Sequence, residues 1–107
     1  MTRVRLCAEA ELVESFARGF FVAGFELVLA RLGSEIFAYQ NRCPHRGTTL
    51  DWAPDRFMSA DGKLLQCATH GALFRIEDGF CVSGPCQGQA LAPLCIECVD
   101  GDVWLVR

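Results

Sequence analysis

The sequence predicts an all-β protein, a sandwich or barrel of short strands. The first indication is a series of short apolar stretches, some alternating polar and apolar residues as a half-buried strand does. The second is the set of turn-forming dipeptides that separate these stretches at close spacing: Gly33-Ser34, Asp61-Gly62, Asp78-Gly79 and Gly101-Asp102. The third is how little of the chain has a helical pattern.

The N-terminal part of the chain contains one helical candidate among strand candidates. Residues 8–16 are short and acidic, and they predict one or two helical turns. Residues 3–7 alternate polar and apolar side chains, which predicts a strand with one buried face. The remaining predicted strands of this part are residues 19–24, 25–32 and 35–41, and the last two flank Gly33-Ser34 as a hairpin.

The C-terminal part begins with a polar, turn-rich stretch, residues 51–63, and continues as short strand candidates. The loop "SGPCQG", residues 83–88, interrupts them. The predicted strands are residues 64–67, 72–76, 80–82, 91–99 and 103–106. Trp52, Trp104 and the eight phenylalanines are predicted to lie in the core.

Length and composition predict one globular domain spanning residues 1–107. The apolar fraction is 51%, the charged fraction is 21% and the net charge is −3. Lys63 is the only lysine and the arginines are scattered, so nucleic acid and anionic membranes are poor partners. No apolar run approaches the roughly 18 residues of a membrane span, and no signal-peptide core is visible. We therefore expect a cytoplasmic protein, in which seven cysteines indicate metal ligands or thiols rather than a disulfide framework.

Two short motifs contain the only two histidines, and each pairs a histidine with a cysteine. The first, Cys43-Pro44-His45, has the spacing C-x-H, and the second, from Cys67 to His70, has the spacing C-x-x-H. Both motifs lie between predicted strands, where loops present functional residues from a rigid scaffold.

Three interpretations of these motifs compete. A tetrahedral zinc site takes two cysteines and two histidines, although zinc fingers usually group each residue type and place the histidines on a helix. A cysteine nucleophile activated by a histidine leaves the second pair unexplained. Two irons bridged by two sulfides need four protein ligands, and two loops with one cysteine and one histidine each would clamp such a cluster. The last interpretation fits best, because each loop would give its cysteine to one iron and its histidine to the other.

The motifs "CPHRG" and "CATHG" resemble the two ligand boxes of the Rieske family, in which a glycine closely follows each ligand histidine. The loop "SGPCQG" resembles the loop that shields the cluster in that family. The resemblance implies a Rieske-type antiparallel β-sandwich of three sheets with a small cluster-binding subdomain. It also implies one Rieske-type 2Fe-2S cluster, for which the cofactor-binding and metal ligands would be Cys43, His45, Cys67 and His70.

The resemblance is to one branch of the family. Thr48 and Thr69 stand where the Rieske proteins of respiratory and photosynthetic complexes carry an extra cysteine pair. The chain therefore resembles the ferredoxins of ring-hydroxylating oxygenases and the small subunit of nitrite reductases. This implies a one-electron carrier that passes electrons from a reductase to an oxygenase or other oxidoreductase, with no substrate chemistry of its own. The alternative is a non-catalytic structural or redox-sensing subunit of a larger complex.

Five cysteines lie outside the two motifs. Cys95 and Cys98 form a C-x-x-C, but an offset of three on a strand places them on opposite faces, so a shared redox or zinc role is not expected. Cys86 lies in the loop that resembles the shielding loop. From that loop Cys86 could approach the cluster, but a small buried or half-buried thiol is the favoured interpretation. The sequence assigns no role to Cys7 or Cys81.

Overall fold

A computed structural model describes residues 2–14, 16–22, 24–44, 49–51, 56–68 and 71–106 of the chain. The described residues form three antiparallel sheets of three strands each, in the orders β1-β9-β8, β2-β3-β4 and β5-β6-β7, which confirms the predicted fold. The strands are β1 Arg3–Ala8, β2 Ala17–Val22, β3 Phe25–Leu32, β4 Glu35–Gln40, β5 Leu64–Gln66, β6 Leu73–Arg75, β7 Cys81–Ser83, β8 Ile96–Val99 and β9 Asp102–Val106.

The sheet β2-β3-β4 is the centre of the sandwich because β3 contributes to two cores. Leu27 and Leu29 belong to one buried cluster, and Val28 and Ala30 belong to the other. All four side chains are fully buried. Successive side chains of a strand point to opposite faces, so this unbroken apolar run serves both cores.

The two outer sheets cover these two cores. Val103 and Leu105 of β9 pack with Leu27 and Leu29 in the first cluster. Leu65 of β5 and Phe74 of β6 belong to the second cluster, together with Val28. The small sheet β5-β6-β7 therefore lies on the opposite side of the central sheet from the sheet β1-β9-β8.

The predicted hairpin turns are found, with one shifted in register. Gly33-Ser34 joins β3 to β4, since Leu32 pairs with Glu35. The last turn was predicted at Gly101-Asp102, but Val99 pairs with Asp102, so the two turn residues are Asp100 and Gly101. Their φ angles are 52° and 80°, the left-handed backbone that a type I′ hairpin requires at both positions. An Asp-Gly pair meets this requirement better than Gly-Asp does.

Of the one or two helical turns predicted within residues 8–16, the described residues form one, of 3-10 type. A single 3-10 turn covers Glu9–Glu11. The Glu11 carboxylate accepts the Ala8 N–H at 2.9 Å, and the Arg31 guanidinium donates to the carbonyl oxygens of Glu9 and Leu12 at 3.1 Å. These side chains satisfy the backbone groups at both ends of the turn, so no further helical turn is needed to pair them.

The prediction that the aromatic residues lie in the core is wrong for several of them. Phe57 and Phe74 are fully buried, but Phe21 is 71% exposed and Phe16 is 40% exposed. Trp52 lies outside the described residues. The part of the chain that the structure describes has no helix with the length and apolar character that crossing a bilayer requires.

Candidate metal centre

The first motif lies in a loop whose two ends are joined by Asn41. This residue follows β4, and its backbone N–H donates to the Glu26 carbonyl oxygen at 3.0 Å. Its side-chain oxygen accepts the Leu50 N–H at 2.8 Å, and its side-chain nitrogen donates to Asp51 at 3.2 Å. Asn41 thus fixes the base of the loop that carries Cys43, whose side chain is only 2% exposed.

The second motif lies in the turn between β5 and β6. Gln66 pairs with Leu73, and the Cys67 N–H donates to the Ala72 carbonyl oxygen at 2.9 Å. The Gly71 N–H donates back to the Cys67 carbonyl oxygen, also at 2.9 Å. Gly71 has a φ of 69°, a conformation that glycine adopts without the steric cost of a side chain. The tight turn holds Cys67, which is 1% exposed.

The two motif loops are joined directly. The Ala68 N–H, one residue after Cys67, donates to the Leu50 carbonyl oxygen at 2.8 Å. Leu50 is also the residue that the Asn41 side chain holds. The same buried cluster contains the Cys43 and Cys67 side chains. Hydrogen bonds from Ala68 to Leu50 and from Leu50 to Asn41 therefore hold the two motif loops together and position the thiols of both.

The loop "SGPCQG" packs against both motif loops. At Gly84, with a φ of 100°, an added Cβ would lie 2.8 Å from the Ala72 Cα, so the two backbones are in close contact there. Cys86 is fully buried, and its Sγ lies 3.5 Å from the Sγ of Cys43. The favoured interpretation of Cys86 as a small buried thiol is correct about burial, and its contact with Cys43 places it beside a predicted ligand, in line with the alternative that this loop brings it near the cluster.

Two of the four predicted ligands belong to the described part of the structure. Cys43 and Cys67 are described, whereas His45 and His70 lie outside the described residues, as do Thr48 and Thr69. Within the described ranges, no three His, Cys, Asp or Glu side chains are grouped so that they could hold a metal ion. The four-residue ligand set therefore stays a prediction.

The described thiols fit an iron–sulfur cluster. Cys43 and Cys67 present two buried sulfurs from two loops that are hydrogen-bonded to each other. Thiolate is the ligand that every such cluster requires, and burial lowers the access of water to it.

The cysteines outside the motifs and the shielding loop have ordinary surroundings. Burial raises the pKa of Cys7, and desolvation with the nearby Glu9 carboxylate raises the pKa of Cys98, so both thiols stay protonated at neutral pH. The Cys81 thiol donates to the Ser83 carbonyl oxygen at 3.2 Å. Cys95 and Cys98 are both exposed.

A match to the sequence model of a protein family shows which family the chain belongs to. The model of the Rieske 2Fe-2S domain matches residues 2–100. The chain belongs to the Rieske family. It therefore binds a Rieske-type 2Fe-2S cluster, and the buried thiols of its two motif loops are suited to hold one.

Two curated proteins are similar to this chain in sequence. The terminal oxygenase component CarAa of carbazole 1,9a-dioxygenase from a Sphingomonas species is 34% identical over 76 residues. That match covers 71% of this chain but only 19% of CarAa. The ferredoxin CarAc of Metapseudomonas resinovorans is 24% identical over 103 residues, covering 95% of this chain and 91% of CarAc.

A solved structure shares the fold over nearly the whole chain. The ferredoxin of carbazole 1,9a-dioxygenase from Nocardioides aromaticivorans IC177 has a TM-score of 0.79 and 22% identity. The match covers 99% of this chain and 98% of that one. At this identity the likeness concerns the fold, and it agrees with the three-sheet architecture described above.

From the sequence, Asn41 was missed, and the approach of Cys86 to the cluster was only the less favoured alternative. Asn41 carries a signal that could have been used, because an Asn just after a strand readily accepts hydrogen bonds from the backbone of a following loop. Cys43 and Cys86 are 43 positions apart in the sequence, so no local sequence pattern predicts their contact.

Proposed function

We propose that this chain is a one-electron carrier of ferredoxin type, whose cluster is bound by Cys43, His45, Cys67 and His70. It passes electrons from a reductase to an oxygenase or another oxidoreductase. The observation that carries the proposal is the pair of buried thiols on two hydrogen-bonded loops in a chain of the Rieske family. The match to a ferredoxin along 91% of its length supports the carrier role.

The ligand chemistry supports this role. A Rieske cluster accepts and releases one electron, and replacing two thiolates by two imidazoles on one iron raises its reduction potential above that of a four-thiolate cluster. Rieske potentials span roughly −150 to +300 mV. Because Thr48 and Thr69 leave no cysteine pair for a disulfide across the cluster, we expect a value toward the low end, about −150 mV.

The proposal includes one domain and a cytoplasmic location. Cys7, Cys81, Cys95 and Cys98 are thiols rather than disulfides, which suits a reducing compartment. Protein partners are expected to be a reductase and an oxygenase or other oxidoreductase, without nucleic acid or membrane.

Ligand variants test the assignment of the metal centre. The protein produced anaerobically with ample iron should contain two irons and two acid-labile sulfides per chain, as a 2Fe-2S cluster requires. Cys43→Ser and Cys67→Ser should abolish the visible spectrum, while the exposed controls Cys95→Ser and Cys98→Ser should keep it. Stoichiometric zinc without iron in the unaltered protein would contradict the assignment.

The carrier role needs a separate experiment. A flavoprotein reductase from a ring-hydroxylating oxygenase system should reduce the cluster-loaded protein, which should then pass electrons to cytochrome c as a surrogate acceptor. A loaded protein that no such reductase reduces, or a potential far outside the Rieske span, would favour the structural or redox-sensing alternative.

A further inference from the structure

Cys86 lies outside the predicted ligands, and its sulfur contacts the sulfur of one of them, Cys43. Its Sγ lies 3.5 Å from the Cys43 Sγ, within the range of a hydrogen bond between sulfurs. Neither side chain is open to solvent, because Cys43 is 2% exposed and Cys86 is fully buried. Water therefore does not compete for this contact.

The backbone around Cys86 fixes its position. The Gln89 N–H donates to the Cys86 carbonyl oxygen at 2.8 Å, and the Gln87 N–H donates to the Gly84 carbonyl oxygen at 3.2 Å. Gly84 is packed against Ala72, at the end of the second motif loop. The Cys86 side chain is thus presented to Cys43 by a loop that is held on both sides of it.

The direction of the hydrogen bond follows from the chemistry of the ligand. A cysteine that binds iron does so as the thiolate, which has no proton to donate. Where Cys43 is a ligand, the only donor in this contact is the Cys86 thiol.

We propose that Cys86 is a positioning residue whose thiol donates a hydrogen bond to the Cys43 thiolate and so raises the reduction potential of the cluster. The reduced cluster carries one more negative charge than the oxidised one, so a donor to its ligand sulfur stabilises the reduced state more. Hydrogen bonds to the sulfurs are among the features that set iron–sulfur potentials. The inference rests on the ligand role of Cys43 in the proposed function.

Protein-film voltammetry of cluster-loaded variants tests this. Cys86→Ala removes the donor and should lower the potential, whereas Cys86→Ser keeps a hydroxyl donor and should restore part of the difference. Cys81→Ala is the matched control, because Cys81 is an equally buried thiol of the same core whose recorded hydrogen bond goes to the Ser83 carbonyl oxygen. The control should keep the potential of the unaltered protein.

A spectroscopic measurement separates a hydrogen bond from mere packing. The iron–cysteine stretching bands in resonance Raman spectra should shift between H₂O and D₂O, because the Cys86 thiol proton exchanges. In Cys86→Ala the shift should be smaller than in the unaltered protein and in Cys81→Ala.

The outcomes distinguish this inference from the proposed function. Absence of a cluster in the unaltered protein overturns the proposed function. A normal cluster with the same potential in Cys86→Ala, or a drop that Cys81→Ala reproduces, overturns only the role of Cys86. If Cys86→Ala does not assemble a cluster, Cys86→Val takes its place in the test, because valine fills the volume of the cysteine without supplying a hydrogen-bond donor. Assembly in Cys86→Ser alone supports the need for a donor, while failure of all three variants assigns Cys86 to packing and overturns the inference.

Discussion

Tyr39 is the only tyrosine of the chain, and its ionisation is coupled to folding. It lies on β4 with 2% of its surface exposed, and its hydroxyl donates to the Ile76 carbonyl oxygen at 2.5 Å. Burial raises the pKa of Tyr39 from 10.0 to about 12, and the Asp78 and Glu77 carboxylates add to the rise. Tyr39 belongs to the same buried cluster as Cys43 and Cys67.

The raised pKa of Tyr39 determines how the free energy of unfolding changes with pH, in sign and in size. Below pH 10 the tyrosine is neutral in both states, and the stability is fully present. Between pH 10 and about 12 the unfolded chain loses the proton while the native state keeps it, so the free energy of unfolding falls as pH rises. A difference of about two pH units, at about 1.36 kcal/mol each, corresponds to a total loss of about 2.7 kcal/mol.

Tyr39→Phe isolates this contribution. Near neutral pH the variant should be less stable by about 1–3 kcal/mol, because the buried Ile76 carbonyl loses its donor. Its disadvantage should shrink as pH rises from about 10 to about 12, since phenylalanine cannot ionise. Urea unfolding of both proteins across this range gives the difference, in which contributions from the other alkaline groups cancel.

The absorbance of tyrosinate provides an independent readout, since one residue produces the whole signal. In the folded protein the band should appear well above pH 10, and in denatured protein near pH 10. A midpoint near 10 in the folded protein, or parallel stability curves for the two proteins, would refute the reasoning.

Two further substitutions test the loops around the metal centre. Gly84→Ala should destabilise the protein more than the matched Gly88→Ala. Both positions have φ near +100°, but only at Gly84 does the added Cβ approach another backbone, 2.8 Å from the Ala72 Cα. Gly88→Ala should cost only the left-handed strain, roughly 1–2 kcal/mol, and equal losses in urea unfolding would contradict the packing argument. Asn41→Ala should cost about 1–3 kcal/mol and lower the retained iron, since it leaves the buried Leu50 N–H without its acceptor; unchanged unfolding and iron content would count against the role of this side chain.

The features that the sequence predicted well are local ones. Alternating and continuous apolar runs predicted β1 and β3, because side-chain direction along a strand depends only on the strand itself. The Gly33-Ser34 turn was found where expected. The last hairpin was displaced by one residue, since either Asp100-Gly101 or Gly101-Asp102 fits the pattern and pairing across the strands decides between them.

The features that the sequence did not predict depend on distant partners. One or two helical turns were predicted within residues 8–16, but the partner of the 3-10 turn that forms there, the Arg31 guanidinium of β3, could not be predicted from that stretch. The exposure of Phe21 is decided by what covers the outer side of β2, which no pattern within β2 contains. The cluster ligands were predicted from the resemblance of the two motifs to the Rieske ligand boxes, and for all four residues the ligand role stays a prediction.

The described cysteines of the predicted metal centre belong to one core of the protein. Cys43, Cys67 and Cys86 lie in one buried cluster with Leu65, Phe74 and Cys81 of the small sheet. Each strand of that sheet has only three residues, so its ladder supplies few hydrogen bonds of its own. If Cys43 and Cys67 bind the cluster, as the proposed function holds, the metal bonds join the two motif loops, and binding free energy gained there is folding free energy. We therefore expect the small sheet, whose strands β5 and β6 are connected by the second motif loop, to depend on the cluster more than the central sheet, whose strand β3 is buried on both faces.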